Sequence, residues 1–320
     1  MDFSFVKYNP SNFRIPPRNT CLLSNVYDVP CISPSVDKVK QCSKKIESFQ
    51  NNESNIVLQN KKYLWTFVED NTPNYIKLNI ESYNKFYKNN FTIVVINKNN
   101  VYNYLPQFPF NLEYKNKISM KKVVDYLKYS LLYNYGGLWI DSSVLIYKYF
   151  NFNKLLLSND FVLFNNPNFQ SCNNTFQLPH TKILLAKPKL DIFKYLLDTF
   201  CNSYDFEFGN VSEKVLYNAI KLYNSSNNCN NRYSNTKILV LPSYNIGKLS
   251  SHNKILQVND YLKKYKYLIK PEAFCTIIDN NENYYKSPNE LFYYNLWFLK
   301  LENELLNSGM FVSYLYRLNN

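Results

Sequence analysis

Histidine is almost missing from this chain of 320 residues, present only as His180 and His252, and the seven cysteines (Cys21, Cys31, Cys42, Cys172, Cys201, Cys229, Cys275) form no C-x-x-C pair. Together these absences exclude a Cys/His zinc site, and an odd, scattered cysteine count reads as reduced thiols. Long apolar runs are missing as well. The opening MDFSFVKYNPSNFRIPPRN is broken by Lys7, Pro10 and Arg14 before a signal-peptide core can form, and no later stretch reaches the ~18 apolar residues of a membrane span. The expectation is a soluble, cytoplasmic protein. Acidic residues are the scarcer charge, 24 Asp+Glu against 37 Lys+Arg, and the resulting +13 favours acidic partners: nucleic acid, phosphorylated ligands or an anionic membrane face touched peripherally. No internal repeat and no flexible interdomain linker is found.

What is present is 46% hydrophobic residues, enough at this length for a sizeable core. Residues 1–60 mix Pro, Ser, Asn and Cys with one short helical candidate over 36–49 and read as an irregular N-terminal extension. Regular structure is expected from Lys61. KKYLWTFVE reads as a strand, because Tyr63, Trp65 and Phe67 are β-favouring and alternate with smaller neighbours. A helix over 73–88 follows, then the buried strand FTIVVI, giving a β-α-β unit with the usual right-handed crossover. A helix over 121–133 leads to Gly136-Gly137 and then to LWIDSSVLIY, read as one strand. DFVLF, TKILLA and KILVLP are further strands, 189–200 and 211–223 further helices, and 291–306 a closing amphipathic helix. This alternation predicts an α/β sheet with helices on both faces. The organisation is an extension (1–60), a core (61–250) and a C-terminal part packing on the core (251–320).

The chemistry concentrates in one segment. Only five glycines occur, and two are adjacent between a helix and a strand. A left-handed helix stop explains one, and close passage beneath the sheet or beside a ligand explains the other. Asp141 follows within four residues, where an open α/β sheet presents a strand end; it meets hydroxyls and amides, or faces a ligand or cation, or caps a loop with Ser142 and Ser143. Asp125 and Lys128 share a helix face three residues apart and read by themselves as a surface ion pair of little energetic weight.

The run from Asp125 to Ser143, D-Y-L-K-Y-S-L-L-Y-N-Y-G-G-L-W-I-D-S-S, resembles the signature of DxD glycosyltransferases grouped with capsular polysaccharide synthesis proteins and Och1-like mannosyltransferases, which also appears in glucosylating clostridial toxins. Upstream, Tyr63-Leu64-Trp65-Thr66 is similar to that group's first strand, and the likeness extends over roughly residues 60 to 205. The resemblance implies a GT-A fold, a Rossmann-like sheet that binds a nucleotide sugar such as a UDP- or GDP-sugar, and a hexosyl transfer to a glycan, glycolipid or protein acceptor. It implies that Leu64, Trp65 and Thr66 flank the nucleoside, that Asp125 bonds donor-sugar hydroxyls, and that Lys128 stands where the family has Arg. Asp141 becomes the first DxD carboxylate, with Gly136, Gly137, Ser142 and Ser143 around the substrate.

Ser143 departs from that pattern. It takes the second DxD position, where the usual Asp binds Mn²⁺ or Mg²⁺, so a metal shared by Asp141 and Ser143 is expected to bind weakly. Lys128 keeps a charge but lacks the bidentate fork of Arg. A loop carrying Lys248, Ser250, Ser251, His252 and Asn253 is the candidate to compensate. The family's chemistry retains anomeric configuration, and no dedicated base is evident. Two other readings stand beside this one: a fold retained for binding without catalysis, motivated by Lys128 and Ser143, and a toxin-like protein glycosyltransferase. Nucleic-acid binding is disfavoured, because the 30 Tyr and 23 Phe fall in expected core elements rather than on a basic stacking surface.

Overall fold

Alternation of large apolar side chains makes Tyr63–Phe67 a strand, β1, with all five residues buried. Tyr63, Trp65 and Phe67 enter the core on one side of the sheet and Leu64 the core on the other, so the period of two has become two hydrophobic faces. This is a computed structural model, which describes residues 61–70, 72–110, 120–166, 178–202, 211–225, 236–247, 270–278 and 302–318. The extension 1–60 with its helical candidate, the loop 248–253 and residues 291–301 of the expected closing helix lie outside the described residues.

Helix α1 (Asn74–Tyr87) starts after Pro73 and returns the chain to β2 (Thr92–Ile96), parallel to β1 with Tyr63 opposite Thr92. A short α2 (Val101–Tyr104) precedes α3 (Met120–Tyr135). Strand β3 (Gly137–Ile140) then pairs parallel with β1 on its other edge. Next in the sheet stands β6 (Pro179–Ala186), antiparallel to β3, followed by β5 (Phe161–Asn165) and β7 (Ile238–Leu241). The order β2-β1-β3-β6-β5-β7 contains a single reversed strand, β6, so the N-terminal end of β6 emerges at the edge where the other strands have their carboxyl ends.

LWIDSSVLIY is not one strand. The chain turns at Asp141–Val144, with Val144 N–H donating to Asp141 O at 2.9 Å, and β4 (Val144–Ile146) leaves for a separate two-stranded sheet with β8 (Cys275–Ile277). Leu138–Ile140 and Val144–Ile146 are both buried, and strong apolar character on either side of Asp141-Ser142-Ser143 conceals the break. Helices α5 (Asp191–Asn202) and α6 (Val211–Ser225) cover one face with α3. The other face packs against α1, β4, β8 and α4 (Phe152–Ser158), which Asn151 caps by accepting from Lys154 N–H. Near the C-terminus α7 (Glu302–Asn307) and α8 (Phe311–Arg317) pack on Tyr75, Ile76 and Leu78 of α1. The sequence pattern gives no sign of α2, α4 or β8, whereas α7 and α8 lie in the C-terminal region expected to be helical. The mixed sheet between helical layers is the expected α/β architecture.

The glycine pair owes its place to backbone crowding. Gly136 (φ +64°) stops α3, its N–H donating to Leu132 O at 2.9 Å, and a Cβ there would lie 2.6 Å from Pro188 N. Gly137 (φ +98°) passes so close to β1 that a Cβ would stand 2.3 Å from Tyr63 O. Both open β3 at the end opposite Asp141, about 13 Å away for four extended residues. Crowding against Pro188 and Ala186 at Gly136, and against Tyr63 at Gly137, requires glycine at both positions.

Buried tyrosines tie the α1 face together. Burial first, with Asp141, Tyr316 and Cys275 adding, holds the Tyr83 hydroxyl well above its ordinary 10.0, and burial does the same for Tyr87 and Tyr316. Each folded value lies above the unfolded one, so this stability is complete below pH 10 and lost as pH rises through the folded values. Denaturation midpoints followed from neutral to alkaline pH should stay level to about pH 9 and fall steeply beyond about pH 10. Gly137→Ala should lower stability by ~2–4 kcal/mol in chemical denaturation, through positive φ and the clash with Tyr63.

Candidate active site

The turn that follows β3 is fixed from four directions. Asp141 N–H donates to Lys182 O of β6 (2.8 Å), and the Tyr83 hydroxyl of α1 stands 2.8 Å from Asp141 O and 2.7 Å from Val144 O. Asn79, also on α1, donates to Ser142 O at 2.8 Å, and Ile278 N–H to Ser143 O at 2.8 Å. Asn79 is itself held by the Tyr316 hydroxyl of α8, which donates to its Oδ1 at 2.8 Å. The C-terminal helix thus bears on the turn through one buried amide. Buried donors and acceptors are costly to leave unmatched, so this set fixes the turn's conformation.

Asp141, Ser142 and Ser143 are all half-buried at the carboxyl end of β3. That edge lies where the chain order branches, β1 having β2 on one side and β3 on the other, the position at which open α/β sheets receive ligands. The Asp141 carboxylate is oriented by Trp139, whose indole N–H donates to Oδ1 at 2.9 Å.

Asp125 and Lys128 project from α3 toward the same place. They form an ion pair of 2.9 Å with side chains only 7% and 2% exposed, so the reading of a surface pair is corrected: the pair is interior. The reason is visible in α3, which is apolar nearly all round, with Tyr126, Leu127, Tyr129, Leu131 and Leu132 also buried. Burial pushes the Lys128 ammonium down, but Asp125, with Asp141 and Glu213 further off, outweighs it and holds the group above the ordinary lysine value. Lys128 is therefore a cation at neutral pH. Its Nζ also lies 5.5 Å from the Trp139 ring, so the indole that orients Asp141 is itself stacked under the ammonium.

Leu64, Trp65 and Thr66 have no exposed surface. Trp65 donates to Gly136 O at 2.9 Å and stacks on Tyr63 with ring centroids 4.7 Å apart, which makes it a strut between β1 and the helix stop. Of these three, only Thr66 has a polar side-chain atom with no hydrogen-bond partner among the described residues, its Oγ1. His252 lies outside the described residues.

Sequence reasoning passed over Lys182, Tyr83, Asn79 and Glu213. Lys182 Nζ donates to Ser143 Oγ at 3.0 Å, and a charged residue directly before the apolar run Ile183–Ala186 is the available signal. Glu213 of α6 brings a carboxylate oxygen 3.5 Å from Thr181 Oγ1.

These residues do not fit a divalent cation. Ser143 Oγ, the second expected ligand, already accepts from an ammonium, so a metal bound there would stand within ~5 Å of a like charge. Among the described residues no three His, Cys, Asp or Glu side chains gather to hold a metal ion.

A family model described as capsular polysaccharide synthesis protein matches residues 30–239, well over half of the chain. The chain belongs to this family. Among solved structures, a glycosyltransferase involved in the glycosylation of the major capsid of PBCV-1 aligns at 11% identity over 69% of this chain and 94% of its own, with a TM-score of 0.43. The PaToxG glycosyltransferase aligns at 13% identity over 60% of this chain and 81% of its own, TM-score 0.37. Glycosyltransferase GlyE of Streptococcus pneumoniae aligns at 12% identity over 74% and 61%, TM-score 0.38. No curated protein matches the chain. Among the described residues, no helix is long and apolar enough to cross a membrane.

Because the ion pair is interior, Asp125→Ala should strand a buried ammonium and destabilise the fold by ~3–5 kcal/mol, whereas the double variant Asp125→Leu/Lys128→Met should recover most of the loss. Urea midpoints of the two variants check this. Loss of activity in Asp125→Ala alone is therefore not a clean sign of a chemical role.

Proposed function

We propose that this chain is a glycosyltransferase that moves a hexose-type sugar from a nucleotide-sugar donor, UDP- or GDP-linked, to a hydroxyl of a glycan, glycolipid or protein. The observation that carries this reading is the Asp141 carboxylate, half-buried and aimed by Trp139 at the carboxyl edge of the sheet, beside the branch in strand order. An anionic acceptor oriented in that way suits sugar or ribose hydroxyls, which donate to it. The interior Lys128–Asp125 pair lies behind it, with the Lys128 ammonium over the Trp139 ring that orients the carboxylate.

Transfer with retention is the reading we favour. Asp125, the second carboxylate near Asp141, is committed to Lys128 at 2.9 Å and poorly placed to serve as a base on the far face of the sugar. The net charge of +13 favours an anionic acceptor or a membrane surface reached from the cytoplasm.

The test is donor hydrolysis by the full chain against UDP-, GDP- and CMP-sugars. One donor should be hydrolysed, and Asp141→Asn, which keeps the acceptor for Trp139 but removes the charge, should lower the rate at least ~100-fold with the fold intact by circular dichroism. Equal rates in both proteins overturn the role of Asp141. The hydroxyl at position 143 favours a second reading, binding without turnover; a donor that binds but is never cleaved would establish it.

A further inference from the structure

We infer that the Lys182 ammonium, rather than a divalent cation, neutralises the diphosphate of the nucleotide donor. The inference rests on the donor-binding reading above and names how that site handles charge. Three observations carry it. First, Lys182 Nζ lies 3.0 Å from Ser143 Oγ, so a fixed positive charge already sits at the second position of D-S-S. Second, the lysine is built into the sheet: its carbonyl accepts from Asp141 N–H at 2.8 Å, and its own N–H donates to His180 Nδ1 at 3.3 Å. Third, β6 is the reversed strand, which is why its N-terminal residues reach the edge where β3 ends.

The chemistry follows from the donor inventory. An ammonium is a cation with N–H donors, and a hydroxyl that accepts from it still has its own proton to donate. Lys182 and Ser143 thus present a cationic donor and a neutral donor side by side, both suited to phosphate oxygens. A carboxylate at 143 would instead pair with Lys182 or demand a metal. Ser143 and Lys182 are complementary: a neutral hydroxyl at the turn leaves the lysine's charge uncancelled there, and that charge takes the place of a divalent ion's. Because the lysine's backbone is fixed within a strand and its ammonium already rests on the turn, little reorganisation is needed when a diphosphate arrives.

Calorimetric titration of the full chain with UDP and with GDP, in EDTA and then with Mn²⁺, tests this. Whichever nucleotide binds should bind equally within about twofold in both buffers. Lys182→Met should weaken it at least about tenfold and Lys182→Arg by much less, since charge is kept. The double variant Lys182→Met/Ser143→Asp should bind only with Mn²⁺. Binding by the natural chain that disappears in EDTA overturns the inference and leaves the glycosyltransferase reading standing, as does a Lys182→Met protein that binds normally. The EDTA comparison needs no variant, so it decides even if Lys182→Met fails to fold. Binding of neither nucleotide under any condition overturns the donor-binding reading and this inference with it.

Discussion

The turn from Asp141 to Val144 is the constraint on which the rest depends. There the chain leaves a six-stranded sheet for a two-stranded one, and its backbone polar groups are matched by β6, by two residues of α1 and by the segment after β8. None of these partners is local: Tyr83 lies 58 residues before Asp141, and Ile278 lies 135 positions beyond Ser143. A turn determined so heavily can hold a carboxylate in one orientation, which is what differential stabilisation of a transition state requires. The glycine pair serves the same end at a distance. Gly137 lets β3 lie against β1, and the four residues of β3 then deliver Asp141 to the opposite edge.

Charge within the site is arranged in layers. The innermost is the Lys128–Asp125 pair, nearly sealed from water and close to neutral as a unit. Outside it stands Trp139, which meets the Lys128 ammonium with its ring face and Asp141 with its N–H. Outermost are Asp141, Ser143 and Lys182, all half-buried and able to meet a ligand. An interior pair of this kind contributes little net stability against an apolar replacement, so its presence in α3 makes better sense as a fixed field behind the site than as a fold determinant.

Much of this was legible in the sequence where periodicity is local. The helix ending at Gly136-Gly137, the strand after it and the carboxylate at its end follow from apolar spacing and from glycines placed where a chain must turn or pass closely. The break at Asp141 was not legible, because Leu138–Ile140 and Val144–Ile146 are both wholly buried and read as one strand carried through Asp141-Ser142-Ser143; only the pairing of β4 with β8, about 130 residues on, separates them. The burial of Asp125 and Lys128 depends on α5 and α6 closing over α3, and an i, i+3 pair carries no mark of that. Lys182 carried a mark that went unused, a charge directly before the apolar run Ile183–Ala186. Leu64 and Trp65, expected beside a nucleoside, are instead enclosed in the two cores.

The carboxyl edge of the sheet at Asp141 is proposed as a diphosphate-binding site organised by side chains. The most direct measurement is a crystal structure of the full chain with the nucleoside diphosphate that it binds, grown in EDTA. The account predicts phosphate oxygens within hydrogen-bond distance of Lys182 Nζ and Ser143 Oγ, with Asp141 Oδ atoms facing the sugar side. A nucleotide bound away from β3 and β6, with Lys182 still on Ser143 and no phosphate near either, would contradict it.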